Sequence, residues 1–469
     1  MLRMTLDDVT EITGGALVGG SGEEVVTSVS TDTRTLRPGA LFVALRGERH
    51  DGHDYVAVAK ERGATALLVD HTLHGLDLPH VVVVDTLFAY GDLARAYRDT
   101  FPDLPVVGVT GSVGKTTTKE LVAHVLASLF SVHKNEANFN NEVGVPLTIF
   151  GLQERHTALV LEMGMRGYGQ ILRLADIGRP TVGVITNVGT AHIELLGSRE
   201  NIAEAKGELL QALPSHGLAV LPASDPFVDR LRARHAGETI TCGVEAAKAD
   251  VLASGLARHE NGWRFTVDSP WGRSKMFVPS PGRFNVQNAL FAVAVGAHLG
   301  IPLDSIARAL NTWSPAALRM EVVNTPGGLV LLADAYNASP ASMIGALETL
   351  RDMPVPQAGG RRIAVLGEMR ELGGHSAEGH AEVGRTVAQA RPDLLFLIGP
   401  LTDSLGEAAR EAGYPAAGVR AFASTEEAMA VLPGLVRAGD AVLVKGSRAL
   451  AMEQILAALG HEGVAHVPQ

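Results

Sequence analysis

The segment Thr110-Gly-Ser-Val-Gly-Lys-Thr-Thr117 constrains the fold of this chain more than any other part of the sequence. A short apolar run, residues 104–109, precedes it and is typical of a β-strand. The apolar residues that follow it recur at helical spacing and fall on one face: Leu121, Val122, Val125, Leu126 and Leu129. A strand, a glycine-rich turn and a helix in this order predict a P-loop.

A P-loop binds phosphate because its glycines let backbone N–H groups converge on phosphate oxygens at a helix N-terminus. Lys115 then reaches the outer phosphates, and the hydroxyl of Thr116 can hold Mg²⁺. The strict pattern expects glycine at Val109, whereas this chain has Gly108 one residue earlier. An ordinary glycine turn before a helix is the weaker interpretation of Gly-Lys-Thr-Thr in this context. The predicted nucleotide-binding residues of the loop are Thr110, Gly111, Ser112, Val113, Gly114, Lys115, Thr116 and Thr117.

Composition narrows the class of protein. The 469 residues are enough for about three domains of ~150 residues each. The formal net charge of −11 argues against a nucleic-acid or anionic-membrane partner. Cys242 stands alone, so no internal disulfide forms, and neither a signal-peptide core nor an apolar run of about 18 residues is present. We therefore expect a monomeric cytoplasmic enzyme that binds no nucleic acid and does not insert into membranes.

Two proline-containing stretches, residues 99–105 and 312–318, are typical of linkers. They predict three α/β domains: residues 1–103, a central P-loop domain with a parallel sheet at 104–316, and a Rossmann-like, doubly wound domain at 317–469. Predicted central strands are 106–109, 158–161, 182–186 and 218–221, with an antiparallel flank at 263–268 and 275–279. Predicted C-terminal strands are 329–333, 363–366, 394–398 and 441–444.

Ligands of doubly wound sheets bind beyond the carboxyl ends of the strands. In the last third of the chain, polar residues follow the predicted strands at 334–337, 367–370, 399–400 and 445–448. We expect a substrate to bind there.

Three residues of the central domain are candidates for cation chemistry. Glu162 lies at the tip of a predicted strand, where a P-loop protein needs an acid for Mg²⁺, although a solvated strand-end glutamate is the alternative. His192 lies in the loop after the next strand, where a histidine is either structural or a ligand of a second cation. Lys206, flanked by Glu204 and Glu208, is either an ordinary solvated lysine or a buried amine that reacts with CO₂ to give an anionic carbamate ligand.

Several motifs together resemble the Mur ligase family, the ATP-dependent amide ligases that build the peptidoglycan precursor. The motifs are residues 110–117, 162–164, 187–194, 205–208 and 285–290. The resemblance runs from about residue 30 to residue 457. Residues 138–146, 334–343, 367–373 and 444–448 resemble the members that add D-alanyl-D-alanine. The members that add the third residue usually show Tyr-Ala-His-Thr-Pro where this chain has Tyr336-Asn-Ala-Ser-Pro340.

The resemblance implies a role for individual residues. Thr116 and Glu162 would bind a first Mg²⁺, and His192 with carbamylated Lys206 a second. Asn288 would approach adenine, Arg319 the nucleotide phosphates and Asp334 the ribose. Catalysis would rest on Lys115, Glu162, His192 and Lys206. The implied substrate-binding residues are Ser30, Asp32, Thr33, Arg34, Phe42, Gly47, Asn138, Asn140, Asn141, Tyr336, Asn337, Lys445, Ser447 and Arg448.

The implied activity joins D-alanyl-D-alanine to UDP-N-acetylmuramoyl-tripeptide through an acyl phosphate, with ATP and Mg²⁺. One alternative is another ligase of this architecture, such as a folylpolyglutamate-type enzyme or the third-residue ligase. Another is a P-loop switch that hydrolyses nucleotide slowly under the control of a protein partner. His50 and His53, in His-Asp-Gly-His, resemble a metal site, but the glycine suits a turn and the family uses this region for the nucleotide sugar.

Overall fold

The computed structural model of the protein describes residues 2–47, 50–245, 248–355 and 357–461. Met1 and residues 462–469, at the ends of the predicted first and third domains, lie outside the described residues. The main sheets have five, nine and six strands and follow one another along the chain. The predicted fold class, α/β with a central P-loop sheet and a doubly wound C-terminal sheet, is confirmed.

The first sheet has the strand order β2-β7-β6-β5-β4, parallel except for β2, and β1 pairs separately with β3. Its strands are β1 Met4–Thr5, β2 Ala16–Val18, β3 Val25–Val26, β4 Ser28–Ser30, β5 Ala40–Val43, β6 Ala66–Val69 and β7 His80–Val82. The helices are α1 Leu6–Thr13, α2 Val56–Glu61 and α3 Thr86–Asp99. The Asp85 carboxylate caps α3 by accepting from the Phe88 N–H.

The central sheet has the order β16-β15-β14-β13-β12-β11-β8-β10-β9. Its strands are β8 Val106–Thr110, β9 Val132–Lys134, β10 Ala158–Glu162, β11 Val182–Ile185, β12 Leu218–Pro222, β13 Glu238–Val244, β14 Val251–His259, β15 Gly262–Ser269 and β16 Gly272–Val278. Its helices are α4 Lys115–Leu126, α5 Gly144–Phe150, α6 Gln170–Gly178, α7 Ile193–Leu196, α8 Arg199–Gln211, α9 Val228–Arg232, α10 Phe284–His298 and α11 Leu303–Thr312. The strands β14, β15 and β16 form the antiparallel flank.

The four predicted parallel strands and the flank strand at 263–268 are present to within one residue at either end, whereas β16 starts at Gly272, before the predicted 275–279. The fully buried strands β8, β10 and β12 are apolar except for the last residues of β8 and β10, Thr110 and Glu162, because helices cover both faces of a parallel sheet. The sequence analysis missed β9, which has three residues, and the longer β13 and β14. The strand β14 is half-exposed and carries glycine and polar residues along its length, so its pattern is weak.

The third sheet has the order β17-β18-β22-β19-β20-β21 and is parallel except for β17. Its strands are β17 Glu321–Asn324, β18 Val330–Ala333, β19 Arg362–Gly367, β20 Leu394–Ile398, β21 Val419–Phe422 and β22 Ala441–Lys445. Its helices are α12 Pro340–Asp352, α13 Ser376–Ala390, α14 Asp403–Glu411, α15 Thr425–Val431 and α16 Glu453–Ala458. Separate apolar clusters cover its two faces.

The first two sheets share a hydrophobic core. Residues of α3, among them Tyr90 and Leu93, belong to the same buried cluster as Ile149 of α5 and Leu174 of α6. The opposite face of the central sheet packs against α4, α10 and α11. The N-terminal region is therefore fixed against the central sheet by apolar burial, whereas the third sheet has clusters of its own.

Candidate active site

The P-loop lies at the carboxyl edge of the central sheet, between the end of β8 and the start of α4. Gly111 has φ 148° and Gly114 has φ 85°, a backbone region that favours glycine. A Cβ on Gly111 would collide with Thr186, and a Cβ on Gly114 would lie 2.9 Å from Asn288 Oδ1. The two loop glycines are therefore required by both conformation and space.

Asn187, just after β11, holds the apex of the loop. Its Oδ1 accepts from the Val113 N–H at 3.0 Å, and its Nδ2 donates to the Val113 carbonyl at 2.9 Å. Its own carbonyl accepts from the Ser112 N–H at 3.1 Å. Sequence reasoning gave Asn187 no role, although it opens the 187–194 motif.

Lys115 closes the loop on itself. Its Nζ donates to the carbonyls of Gly111, at 2.9 Å, and Ser112, at 3.3 Å. Burial lowers the pKa of the Lys115 amine, and the charge of Glu162 opposes that shift. The ammonium therefore lies within the loop whose backbone N–H groups would contact a phosphate.

Two oxygen atoms that could bind a metal ion lie close together between α4 and β10. The Thr116 hydroxyl donates to Glu162 Oε2 at 2.7 Å, and the carboxylate is only 2% exposed. The Asn140 amide donates to Glu162 Oε1 at 2.8 Å. Asn140, predicted to bind substrate, therefore lies against the predicted metal ligand.

Asn135, which sequence reasoning missed, fixes the end of β10. Its Oδ1 accepts from the Glu162 N–H at 2.9 Å, and its Nδ2 donates to the carbonyls of Glu162, at 3.1 Å, and Phe139, at 2.9 Å. The Asn135 carbonyl in turn accepts from the buried Lys119 ammonium at 2.7 Å. Asn135 is fully buried, so this clamp sets the direction of the Glu162 side chain.

His192 and Lys206 carry the strongest electrostatic signal of the site. Burial, assisted by the charges of Lys115, Lys206 and Arg166, lowers the pKa of His192 to about 4. The imidazole is therefore neutral at pH 7, the form that ligates a metal. Burial, and then the charge of Lys115, lowers the pKa of Lys206 well below its ordinary value.

The Lys206 side chain is 1% exposed and has no hydrogen bond or ion pair within the described part of the chain. Burial favours the neutral amine of lysine, and the neutral amine is the form that reacts with CO₂. The Thr116 hydroxyl and Glu162 carboxylate, 2.7 Å apart, are the hard oxygen donors that Mg²⁺ prefers, and the neutral His192 adds nitrogen. The residues present therefore fit a magnesium site.

Asn288 lies under the P-loop. Its Oδ1 accepts from the Thr118 hydroxyl at 3.3 Å, and its Nδ2 donates to Asn285 Oδ1 at 2.8 Å. Its side chain is nearly buried, so the structure places it against Gly114 in a polar network of α4 and α10. Its contact with adenine stays a prediction.

The carboxyl edge of the third sheet is internally paired. Lys445 Nζ donates to Asp334 Oδ2 at 2.6 Å and to the Asn337 carbonyl at 2.9 Å, and its side chain is 3% exposed. Asp334 Oδ1 accepts from the Met320 N–H at 3.1 Å. The ammonium predicted to meet a substrate is therefore engaged inside the protein.

The neighbouring predicted residues form a stacked group. The Arg319 guanidinium lies 4.0 Å from the centre of the Tyr336 ring, and that of Arg448 lies 5.9 Å from it. Arg448 also donates to Glu453 Oε1 at 3.1 Å. Ser447 is buried, and its Oγ accepts from the Arg370 N–H at 2.7 Å.

The predicted N-terminal residues form a surface turn. Arg34 makes a forked pair with Asp32, with Nη2 to Oδ2 at 2.7 Å, and this hydrogen bond holds the pKa of the Asp32 carboxyl below its usual range. Ser30 Oγ donates to the Asp32 carbonyl at 3.0 Å. Thr33, between the paired residues, and Gly47, after β5, are accessible to solvent.

Phe42 was predicted to bind substrate, but its side chain is buried. Its ring is 1% exposed and packs in the core beside Leu67, because β5 is buried on both faces. The ring supports the sheet and offers no surface to a ligand. Asn138 is exposed, and the Asn141 carboxamide accepts from the Gly144 N–H at 2.9 Å, which starts α5.

A histidine cluster lies in the N-terminal region, apart from these residues. The ligand atoms of His53, Asp70 and His71 lie within 4.8 Å of one another. His53 Nδ1 lies 2.6 Å from Asp51 Oδ1, and Arg46 Nε donates to Asp70 Oδ2 at 2.5 Å. Because Arg46 already neutralises Asp70, the cluster is accounted for by internal pairing.

The two carboxyl edges meet at this site. His192 Nδ1 lies 3.7 Å from Glu371 Oε2, and a Cβ on Gly373 would lie 2.6 Å from the Glu194 side chain. The fold and loop define the class of protein: a P-loop α/β enzyme in which a second α/β sheet closes over the nucleotide site.

Comparison with known proteins agrees with this class. The Mur ligase family, catalytic domain, model matches residues 25–98, the Mur ligase middle domain model matches residues 109–296, and the Mur ligase, glutamate ligase domain, model matches residues 318–448. The UDP-N-acetylmuramoyl-tripeptide–D-alanyl-D-alanine ligase of Bacillus subtilis (strain 168) is 35% identical over 97% of this chain and 98% of its own. The enzyme of the same name from Escherichia coli (strain K12) is 35% identical over 99% of this chain and 100% of its own.

Solved structures agree as well. A crystal structure of MurF from Acinetobacter baumannii has a TM-score of 0.89 and 29% identity, and covers 98% of this chain and 99% of its own. The crystal structure of a MurF ligase from Thermotoga maritima in complex with ADP has a TM-score of 0.82 and 28% identity, and covers 92% of this chain and 97% of its own. The chain belongs to the Mur ligase family.

In the described residues, no helix has the length and apolarity to cross a membrane.

Proposed function

We propose that this chain is an ADP-forming ligase that joins D-alanyl-D-alanine to UDP-N-acetylmuramoyl-tripeptide in peptidoglycan precursor synthesis. One observation carries the proposal. The P-loop, the Thr116–Glu162 pair and the neutral His192 lie at one sheet edge, and that edge faces a second α/β sheet. The names of the relatives, similar over almost the full length, supply the substrates.

The three regions divide the binding work. We assign the nucleotide sugar to the N-terminal region, where the Asp32–Arg34 turn is exposed, and ATP to the P-loop. The dipeptide is assigned to the carboxyl edge of the third sheet. This division follows the predicted domains at 1–103, 104–316 and 317–469, and it brings three substrates to one cleft. The single buried Cys242 agrees with a reducing compartment, for which we propose the cytoplasm.

The chemistry is activation of a carboxylate. The terminal carboxylate of the tripeptide attacks the γ-phosphoryl group, which gives an acyl phosphate and ADP. The amine of D-alanyl-D-alanine then attacks that carbonyl, loses a proton, and inorganic phosphate leaves. Lys115 stabilises the charge on the transferred group, and the loop N–H groups orient it.

Mg²⁺ is proposed to be held by Thr116 and Glu162, and a second Mg²⁺ by His192 and carbamylated Lys206. When bound, it neutralises phosphate charge as a Lewis acid. Asn135 and Asn140 orient the Glu162 carboxylate. Closure of the third sheet over the loop excludes the water that would hydrolyse an acyl phosphate.

Phosphate release tests the function. It is expected to rise sharply only when UDP-N-acetylmuramoyl-tripeptide and D-alanyl-D-alanine are both present with ATP and Mg²⁺. Tripeptides that contain lysine or diaminopimelate, compared in the same assay, identify the third residue. Slow hydrolysis that ignores both substrates would favour the P-loop switch instead.

A further inference from the structure

The carboxyl edge of the third sheet offers three carboxylates to an incoming amine: Asp334, Glu368 and Glu371. Asp334 is paired with the Lys445 ammonium at 2.6 Å. Glu368 is 1% exposed, its Oε1 accepts from the Leu401 N–H at 3.1 Å, and its Oε2 lies 2.5 Å from Arg370 Nη2. Both carboxylates are therefore neutralised inside the protein.

Glu371 is different. Its side chain is 61% exposed, and among the described residues its one ion-pair distance is that to His192 Nδ1, at 3.7 Å. Among the described residues, no lysine or arginine nitrogen lies within ion-pair distance of this carboxylate, although its charge acts on the Lys115 ammonium from further away. Glu371 therefore offers an exposed carboxylate that no lysine or arginine of the described residues pairs with, and it lies beside the nucleotide site.

The loop holds this carboxylate in place. Glu371 has φ 64°, an uncommon conformation for a residue other than glycine. Its neighbours Met369 and Leu372 are buried, and the Met369 N–H donates to His380 Nε2 at 3.0 Å. Strained backbone of this kind persists where the surroundings fix it, and it clusters at functional sites.

We propose that Glu371 binds the ammonium group of the incoming dipeptide and positions its nitrogen near the reacting carbonyl, beside His192. The nitrogen attacks the carbonyl after the ammonium has lost a proton to solvent, which reaches the exposed carboxylate. The inference rests on the proposed function and adds a substrate-binding residue to it. An ammonium group donates charge-assisted hydrogen bonds to a carboxylate. Because Glu371 comes from the third sheet and faces the central one, it places the amine at the meeting point of the two.

The test is steady-state kinetics of the full chain with ATP, Mg²⁺, UDP-N-acetylmuramoyl-tripeptide and D-alanyl-D-alanine. E371Q is expected to raise KM for the dipeptide about 10- to 100-fold, since it removes one charged contact. KM for ATP and for the tripeptide substrate stays unchanged. The control E378Q removes a carboxylate that is 75% exposed on α13 and leaves all three KM values unchanged.

A second measurement separates binding of the amine from domain closure and from metal binding. Isotope exchange between ADP and ATP, with the tripeptide substrate present and the dipeptide absent, reports formation of the acyl phosphate. E371Q is expected to retain this exchange and its Mg²⁺ dependence.

Loss of exchange, a raised Mg²⁺ requirement, or an unchanged dipeptide KM would overturn the inference. A dipeptide effect in E194Q and not in E371Q would assign the ammonium to Glu194. A wild-type enzyme without dipeptide-dependent phosphate release would overturn the proposed function itself.

Discussion

The carboxyl edges of the central and third sheets are built alike but are used differently. Both gather polar residues after buried parallel strands, as expected for ligand sites in such sheets. At the central edge, Lys206 is buried and has no neutralising partner among the described residues, and His192 is partly buried. The pKa values of both side chains are lowered. At the third edge, Lys445 is equally buried but lies 2.6 Å from Asp334.

This difference indicates which of the two edges binds a charged ligand. Buried groups without partners are costly unless a ligand compensates them, so the central edge is poised for phosphate and cations. Lys445 and Asp334 already neutralise each other, so this buried ion pair holds the third edge in place and does not await a ligand. Arriving substrate must use the more exposed groups there, such as Glu371 and Arg370, whose side chains are 61% and 54% exposed.

The largest expected effect is at the P-loop. K115A is expected to lower kcat by about 10²-fold or more, since it removes the loop cation that follows the γ-phosphoryl charge into the transition state. Phosphate release at saturating ATP measures the loss. K275A removes an exposed lysine of β16 and serves as the control. Near-normal turnover by K115A would show that the central edge does not act through this ammonium.

Lys206 tests whether the unpaired amine becomes a ligand. K206A is expected to lower kcat by about 10²-fold, and short carboxylic acids such as formate or acetate partly restore activity by filling the vacated ligand position. K206R, which keeps a cation but forms no carbamate, is expected to be equally inactive and not to respond to the acids. Wild-type activity in K206A would exclude the carbamate.

Asn135 tests the support of the central edge. N135A removes the clamp on the Glu162 backbone and is expected to raise the Mg²⁺ concentration for half-maximal activity about 10-fold or more. KM for the dipeptide is expected to stay constant, because the third sheet is untouched. A Mg²⁺ titration and a thermal melt are run on the same variant. A lowered melting temperature with an unchanged Mg²⁺ requirement would assign Asn135 to stability alone.

The same two edges explain what the sequence could predict. Glu162 is the last residue of β10, Thr116 lies in the first turn of the helix that follows β8 and the P-loop, and His192 lies in the loop after β11. The strand pattern therefore brings all three to one edge. The pairing of Lys445 with Asp334 joins residues 111 positions apart and exists only after β18 and β22 become neighbours. The pattern alone could not distinguish an ammonium directed at a substrate from one directed at an internal carboxylate.

Phe42 and Asn135 show the same limit at the level of single side chains. Phe42 lies in a stretch that resembles a substrate-binding motif, but β5 is buried on both faces and its ring lies in the core. Asn135 acts through three hydrogen bonds to backbone groups of other elements, which no spacing rule encodes. Motifs therefore indicate where the site lies, whereas burial and pairing show which side chains the protein already engages.

Arg448 gives the smallest expected effect and tests the third edge directly. Its side chain is 29% exposed, lies beside Tyr336 and donates to Glu453, so part of its hydrogen-bonding capacity is used inside the protein. R448A is expected to raise KM for D-alanyl-D-alanine about 10-fold, the loss of one partly shared contact to the dipeptide carboxylate, and to leave KM for ATP nearly unchanged. R448K keeps the charge without the fork and is expected to fall between wild type and R448A. Equal effects on both substrates would show that Arg448, like Lys445, orders the edge and does not bind the dipeptide.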